Sequence, residues 1–141
     1  MIIKQLSVFL ENKSGRLTEV TEALASAQIN ISAFSIADTS DFGVLRMIVN
    51  KPDEAMKILS AKGVSVNITD VIGFVVPHEP GGLHRTLKIL SSEGISVEYM
   101  YAFALGDRAS VILRTDAVQQ AIAVLQKHKM ELLTASDIYE V

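Results

Sequence analysis

The feature that most constrains this chain is an internal repeat, in which the second copy follows the first at an offset of 66 residues. In each copy an apolar run leads through a glycine, Gly15 or Gly81, into an amphipathic segment. Apolar spacing that is maintained without a gap indicates one supersecondary unit built twice. The same offset pairs identical residues at Leu24 and Leu90, Ser26 and Ser92, Ile29 and Ile95, Ala55 and Ala121, and Leu59 and Leu125.

The repeat divides the 141 residues into two predicted domains, residues 1–70 and residues 71–141. Domains of about 70 residues bury little apolar surface on their own. With 49% hydrophobic residues, the chain is expected to expose apolar surface that a partner covers. We therefore predict a homodimer or a larger assembly.

The apolar periodicity predicts the order βαββαβ in both copies. In copy one the strands are 3–10, 29–38, 44–49 and 64–70, and the helices are 15–28 and 52–63. In copy two the strands are 71–77, 95–105, 109–115 and 132–140, and the helices are 80–93 and 117–129. This order predicts an α+β fold of two ferredoxin-like repeats, each an antiparallel four-stranded sheet with both helices on one face.

No linker residues separate strand 64–70 from strand 71–77. We therefore expect the last strand of copy one to continue directly into the first strand of copy two. Two sheets joined side by side into an eight-stranded sheet would also cover two exposed edges.

Charge and composition exclude several classes of function. A net charge of −3 without a basic stripe argues against a nucleic acid partner. Lys4 and Gln5 interrupt the apolar N-terminal run, so we predict no membrane span and no signal peptide. The absence of cysteine suits a cytoplasmic protein. We find no nucleophile paired with a base, no metal-ligand cluster and no phosphate-binding motif, and we predict no enzyme, metal or cofactor.

The glycine turn is the candidate binding element. Glycine permits positive φ and leaves the backbone accessible, and the first N–H groups of the following helix favour a carboxylate. Asn12 adds a side chain that both donates and accepts hydrogen bonds, which suits a zwitterion. Alternatively, Asn12 and Asn30 have no binding role and are ordinary residues of a turn and of a strand start.

The two-copy arrangement resembles the ACT-domain family of small-molecule regulatory modules. The segment 11–17, ENKSGRL, is similar to the E-N-R-P-G-x-L turn of the ACT domain in phosphoglycerate dehydrogenase, and the segment 29–31, INI, is similar to its V-N-I strand start. The resemblance covers essentially the whole chain. It implies that a free L-amino acid binds between two facing modules.

The resemblance also assigns residues. In copy one it places the turn on Asn12, Ser14, Gly15, Arg16 and Leu17, and the facing contact on Asn30 and Ile31. Ser14 replaces the usual proline. In copy two it implies a turn at His78, Glu79, Gly81, Gly82 and Leu83, with a facing contact at Ser96.

Copy two departs from the motif, because His78 and Ser96 stand in place of the two asparagines. Two arrangements remain open: copy one faces copy two, or copy one faces copy one of another chain. His78 is either a ligand contact or a pH-sensitive group, or it is a cap of the helix that starts near Pro80.

The sequence thus predicts an amino-acid-binding regulatory protein that changes its association with a partner when the ligand binds. One alternative is a subunit without ligand that docks onto an enzyme of amino-acid metabolism. A second alternative is a binder of single-stranded RNA, since the element order is shared. RNA-binding sheets carry aromatic side chains on central strands, and strand 44–49 has none.

Overall fold

The computed structural model describes residues 1–11, 13–38 and 41–139. These residues form seven antiparallel strands and five helices. The strands are β1 (Ile2–Glu11), β2 (Ile31–Asp38), β3 (Phe42–Val49), β4 (Ser65–Pro77), β5 (Tyr99–Leu105), β6 (Arg108–Arg114) and β7 (Glu131–Leu133). The helices are α1 (Arg16–Ser26), α2 (Pro52–Ala61), α3 (Gly82–Ser92), α4 (Val118–Lys127) and α5 (Ala135–Tyr139).

The chain forms two compact units, each named here for the repeat it contains. The first-repeat unit comprises Lys4–Thr69 and Ser136–Val141, and the second-repeat unit comprises Met1–Ile3 and Asp70–Ala135. Each unit thus includes a short segment from the far end of the chain.

In the first-repeat unit the strand order is β2-β3-β1-β4. Helices α1 and α2 contribute Val20, Leu24 and Leu59 to a core with strand residues such as Leu6 and Met47. The helical spacing of these apolar residues is what directs one face of each helix onto the sheet. The pairing register places Leu10 opposite Gly43 and Val8 opposite Leu45.

In the second-repeat unit the strand order is β5-β6-β4-β7. Its register places Val76 opposite Ala109 and Phe74 opposite Val111, which is the register of the first-repeat unit shifted by the repeat offset. Its core contains Leu90 of α3 and residues of α4. The tandem ferredoxin-like repeat predicted from the sequence is therefore confirmed.

The predicted junction is also confirmed, because β4 is one strand of 13 residues that runs through both repeats. Merging these two strands reduces the predicted eight to seven in the part of the chain described. The predicted strand 132–140 is wrong beyond Leu133, where residues 135–139 form helix α5. Ile138 on this helix is buried in the first-repeat unit. The Tyr139 hydroxyl accepts a hydrogen bond from the Lys4 N–H at 3.0 Å.

The predicted strand 95–105 begins later than expected, at Tyr99. Among the described residues, no helix is both long enough and apolar enough to cross a bilayer.

Candidate functional site

Both predicted turns place a glycine in the left-handed region immediately before a helix. Gly15 has φ 89° and ψ −12° and precedes α1, and Gly81 has φ 86° and ψ −9° and precedes α3. Other residues rarely adopt such angles, so the backbone itself requires glycine here. The predicted positive φ at both turns is confirmed.

In the first-repeat unit, helix α1 starts with two backbone N–H groups for which the described residues offer no acceptor. The Glu19 N–H donates to the Gly15 carbonyl at 3.0 Å, which closes the first helical turn, and the Arg16 N–H donates to the Lys13 carbonyl at 3.3 Å. Among the described residues, the N–H groups of Leu17 and Thr18, which lie between them, have no acceptor, and no side chain caps the helix. These two donors, together with the helix dipole, favour an anion.

Helix α3 starts in the same way. The Arg85 N–H donates to the Gly81 carbonyl at 3.1 Å, and the Gly82 N–H donates to the Glu79 carbonyl at 3.1 Å. No acceptor for the N–H groups of Leu83 and His84 is found in the described part of the chain. The two repeats therefore present equivalent pairs of amide donors.

The two glycines of the second turn have different roles. A Cβ atom built on Gly82 would lie 2.2 Å from the carbonyl oxygen of Pro77, far inside normal contact distance. Gly82 is buried, and a residue without a Cβ atom is required for its close approach to the backbone of Pro77. By contrast, a Cβ built on Gly15 would have no atom within 4 Å among the described residues beyond its chain neighbours and its own helix.

Charged side chains surround the first turn. Lys13 Nζ lies 2.9 Å from Glu11 Oε2, and Arg16 Nη1 lies 3.2 Å from Glu19 Oε2. The hydrogen bond from Lys13, followed by the charges of Lys13 and Arg16, lowers the pKa of Glu11. Ser14 is exposed beside these groups. Asn12, the residue predicted to contact the ammonium group, lies outside the described residues.

The second turn carries fewer charges. Arg85 Nη2 lies 3.0 Å from Glu79 Oε1. The backbone N–H of His78 donates to the Asp107 carbonyl at 2.7 Å, and its side chain is exposed. Helix α3 has Gly81 at its N-cap and no capping side chain among the residues that the structure describes, so the interpretation of His78 as a helix cap is wrong.

An open cleft of about 320 Å³ lies beside the second turn. His78 and Glu79 form part of its rim, and Leu83 of α3 lines one side. Its other walls come from β4, β5 and β6 and are apolar, including Val76, Ala102, Ala104, Ala109 and Val111. The structure thus brings three of the predicted copy-two residues to one cleft.

The predicted facing residues lie elsewhere. Asn30 and Ile31 follow the C-terminal end of α1, while Gly15 precedes its N-terminal end. This helix of 11 residues is about 16 Å long, so Asn30 does not reach the turn of its own unit. The Asn30 backbone instead pairs with Asn50, whose Oδ1 accepts its N–H at 3.0 Å.

Ser96 has the corresponding position in the second-repeat unit. It is exposed and follows the C-terminal end of α3, at the opposite end of that helix from Gly81. Within one unit, neither Asn30 nor Ser96 joins the turn that precedes the same helix. A contact between them and a turn requires a second module, as the resemblance implies.

The sequence interpretation missed the alanines of the cleft, Ala102, Ala104 and Ala109. They lie in the predicted strands of copy two, and they carry no polar group of the kind by which binding residues were sought. A comparison of the two repeats could have indicated the cleft, because the residue of copy one that aligns with Ala102 is the much larger Ile36.

Comparison with known proteins gives a match along the whole chain. The sequence profile described as ACT domain pair matches residues 1–141. The chain is similar to a protein of known crystal structure from Bacteroides thetaiotaomicron, at 52% sequence identity and a TM-score of 0.97, with 100% of this chain and 98% of that chain covered.

The chain is also similar in structure to the ligand-free regulatory subunit of aspartate kinase from Thermus thermophilus. The identity is 17% and the TM-score is 0.65, with 88% of this chain and 90% of that chain covered. The regulatory subunit of aspartate kinase from Thermus flavus gives 16% identity and a TM-score of 0.64 over the same shares. At these identities the likeness establishes the fold alone. The sequence matches no curated protein.

Proposed function

We propose that this chain, which belongs to the ACT domain pair family over residues 1–141, is a regulatory protein that binds a free L-amino acid at its glycine turns. The observation that carries the proposal is the left-handed glycine followed by two N–H donors, which have no acceptor in the described parts of the chain and are present once in each repeat. Such donors at the positive end of a helix dipole suit the carboxylate of an amino acid.

Two further considerations support a regulatory role. The family consists of ACT modules, and the fold is shared with structures described as regulatory subunits of aspartate kinase. We propose that the protein is not itself an enzyme. We propose that a partner of this chain is an enzyme of amino-acid metabolism, and that it acts in the cytoplasm.

The complete site in this proposal includes a facing module. Asn12 faces Ser96 and the His78 turn faces Asn30 if unlike repeats meet, whereas Asn12 faces Asn30 if copy one meets copy one of another chain. In either case the ligand bridges two surfaces. A homodimer is favoured by exposed apolar side chains on β2 and β3, among them Phe34 at 69% and Phe42 at 56% exposure.

The regulatory effect follows from linkage. A ligand that binds only the associated form stabilises that form by RT ln(1 + [L]/Kd), about 2.7 kcal/mol when the ligand is at a hundredfold excess over Kd. This free energy changes a balanced association equilibrium by a factor of about one hundred. No covalent step is needed.

The proposal is tested by isothermal titration calorimetry of the purified protein with each of the twenty L-amino acids, with nucleotides as negative controls. At least one amino acid is expected to bind saturably. The corresponding amino acid amide, which keeps the ammonium group and side chain but lacks the carboxylate, is expected to lose at least tenfold in affinity. If no amino acid binds, the ligand-free interaction subunit becomes the better account.

Variants locate the binding to the turns. Asparagine tolerates the left-handed region, so Gly15→Asn and Gly81→Asn keep the backbone angles while adding a side chain in front of the amides. Gly63→Asn and Gly94→Asn are matched controls, since these glycines have φ 78° and 74° but lie at the C-terminal ends of α2 and α3. Binding should weaken in at least one turn variant and in neither control. Equal affinity in all four variants would contradict the assignment to the turns.

A further inference from the structure

We infer that the cleft of the second-repeat unit selects an amino acid with an apolar side chain, so that this protein responds to a branched aliphatic or aromatic L-amino acid. This inference rests on the proposed function and adds the class of ligand and the repeat that binds it. It is carried by the shape and lining of the cleft and by a difference between the two repeats.

The floor of the cleft is built from small and apolar side chains in adjacent rows. Val76, Ala109 and Ala104 are direct cross-strand partners on β4, β6 and β5. Val111 and Ala102 form the next row. Because direct partners project from the same face of a sheet, these side chains point the same way. Alanine at three of these five places leaves open the volume that larger side chains would fill.

The first-repeat unit differs at this place. By the repeat register, Ile36 corresponds to Ala102 and Gly43 corresponds to Ala109. The side chain of Ile36 extends over Gly43, with Cγ1 and Cδ1 at 3.9 and 4.0 Å from the position of a Cβ on that glycine. The space that stays open in copy two is therefore occupied by an isoleucine side chain in copy one. An aliphatic side chain of a ligand fits where the protein's own Ile36 lies in the other repeat.

The polar groups at the second turn supply this module's contacts to the polar end of an amino acid. Leu83 lines the cleft, and its backbone N–H and that of His84 are without an acceptor in the described residues. A carboxylate bound to these two amides leaves the ammonium group near the rim, where Glu79 lies. The Glu79 carboxylate is paired through Oε1 with Arg85 Nη2 at 3.0 Å, so the ammonium group would share it with Arg85. The apolar walls then receive the side chain. The charged rim thus complements the ammonium and carboxylate end of the ligand, and the apolar interior of the cleft complements its side chain.

The volume of the cleft suits one small ligand, since ligand pockets begin near 300 Å³. Each buried methylene group contributes a factor of about four in affinity. Leucine or isoleucine should therefore bind roughly fiftyfold more tightly than alanine. Lysine, aspartate and glutamate should bind more weakly than alanine, because a charged group would be buried against alanine and valine side chains without a partner.

The decisive variant is Ala102→Ile, which introduces into copy two the residue that copy one carries. Ala102 is exposed on an edge strand and isoleucine favours strands, so the fold should tolerate the change. The reciprocal variant Ile36→Ala is the matched control. Circular dichroism melting establishes that both variants are folded, and calorimetry with leucine, isoleucine, phenylalanine, alanine, lysine and aspartate measures binding.

The inference predicts that apolar amino acids bind most tightly, that Ala102→Ile weakens their binding at least tenfold, and that Ile36→Ala does not. Preference for a charged or small polar amino acid, or unchanged binding in Ala102→Ile, overturns the inference while leaving the proposed function intact. Absence of binding by every amino acid overturns both. Equal binding of leucine and its 2-oxo acid would show that the site recognises the carboxylate and side chain without the ammonium group, which would contradict the role of Glu79.

Discussion

The side chain of Thr86 offers a direct test of how the second core is packed. This residue lies on α3, is fully buried, and its hydroxyl has no hydrogen-bond partner among the described residues. A buried hydroxyl without a partner costs about 1–3 kcal/mol. Val20, which is also buried, is its counterpart in the first repeat. Thr86→Val keeps the shape of the side chain and removes the unpaired group.

We therefore expect Thr86→Val to raise the free energy of unfolding by about 1–2 kcal/mol. For a chain of this size the melting temperature should rise by about 4 °C for each kcal/mol. The measurement is urea denaturation followed by circular dichroism, with the m-value unchanged.

The reciprocal change, Val20→Thr, should lower the free energy of unfolding by about 1–3 kcal/mol, because it places the same hydroxyl in the other core. If Thr86→Val destabilises the protein instead, the Thr86 hydroxyl makes a hydrogen bond in solution and the reasoning is refuted.

Three other substitutions test separate parts of the structure. Gly82→Ala should destabilise the protein by about 1–3 kcal/mol in urea denaturation, since its Cβ would overlap the carbonyl of Pro77; a neutral effect would mean that the turn relaxes freely. Ile138→Ala should lower the free energy of unfolding by about 2–4 kcal/mol and raise amide hydrogen exchange in the first-repeat unit. Exchange that rises only in the second-repeat unit would contradict the fold described. Lys13→Met should raise the pKa of Glu11 toward its ordinary value in an NMR titration. The pKa of Glu11 is lower in the folded state than in the unfolded state. The small contribution of this ion pair to stability is therefore present above the unfolded pKa and is lost as the pH falls through the folded pKa. A Glu11 pKa that is the same in Lys13→Met as in the unmodified protein would contradict the pairing.

Much of the fold was predictable because the repeat supplies each pattern twice. The glycine turns, the helix faces and the continuous strand through residues 64–77 all follow from local sequence signals. The C-terminal helix did not, since residues 132–140 are compatible with alternation while Ala135, Ile138 and Tyr139 also have helical spacing. The choice between them depends on tertiary contacts of Ile138 and Tyr139 with the first-repeat unit, which the local pattern does not contain.

The candidate site was predictable in part. Turn residues such as Gly81 were found because glycine before a helix has a specific backbone reason. The alanines of the cleft were missed because a cavity results from the absence of side-chain volume, which periodicity does not register. Gly82 was assigned to ligand binding, whereas its contact with Pro77 gives it a structural requirement that appears only in three dimensions.

The most direct measurement of the central claim is a titration of ¹⁵N-labelled protein with L-amino acids, followed through the backbone amide resonances. The account predicts that a bound amino acid shifts the amides of the helix first turns, Leu83 and His84 or Leu17 and Thr18, saturably and to lower field. A ligand that binds while all four of these amides remain unshifted would contradict it.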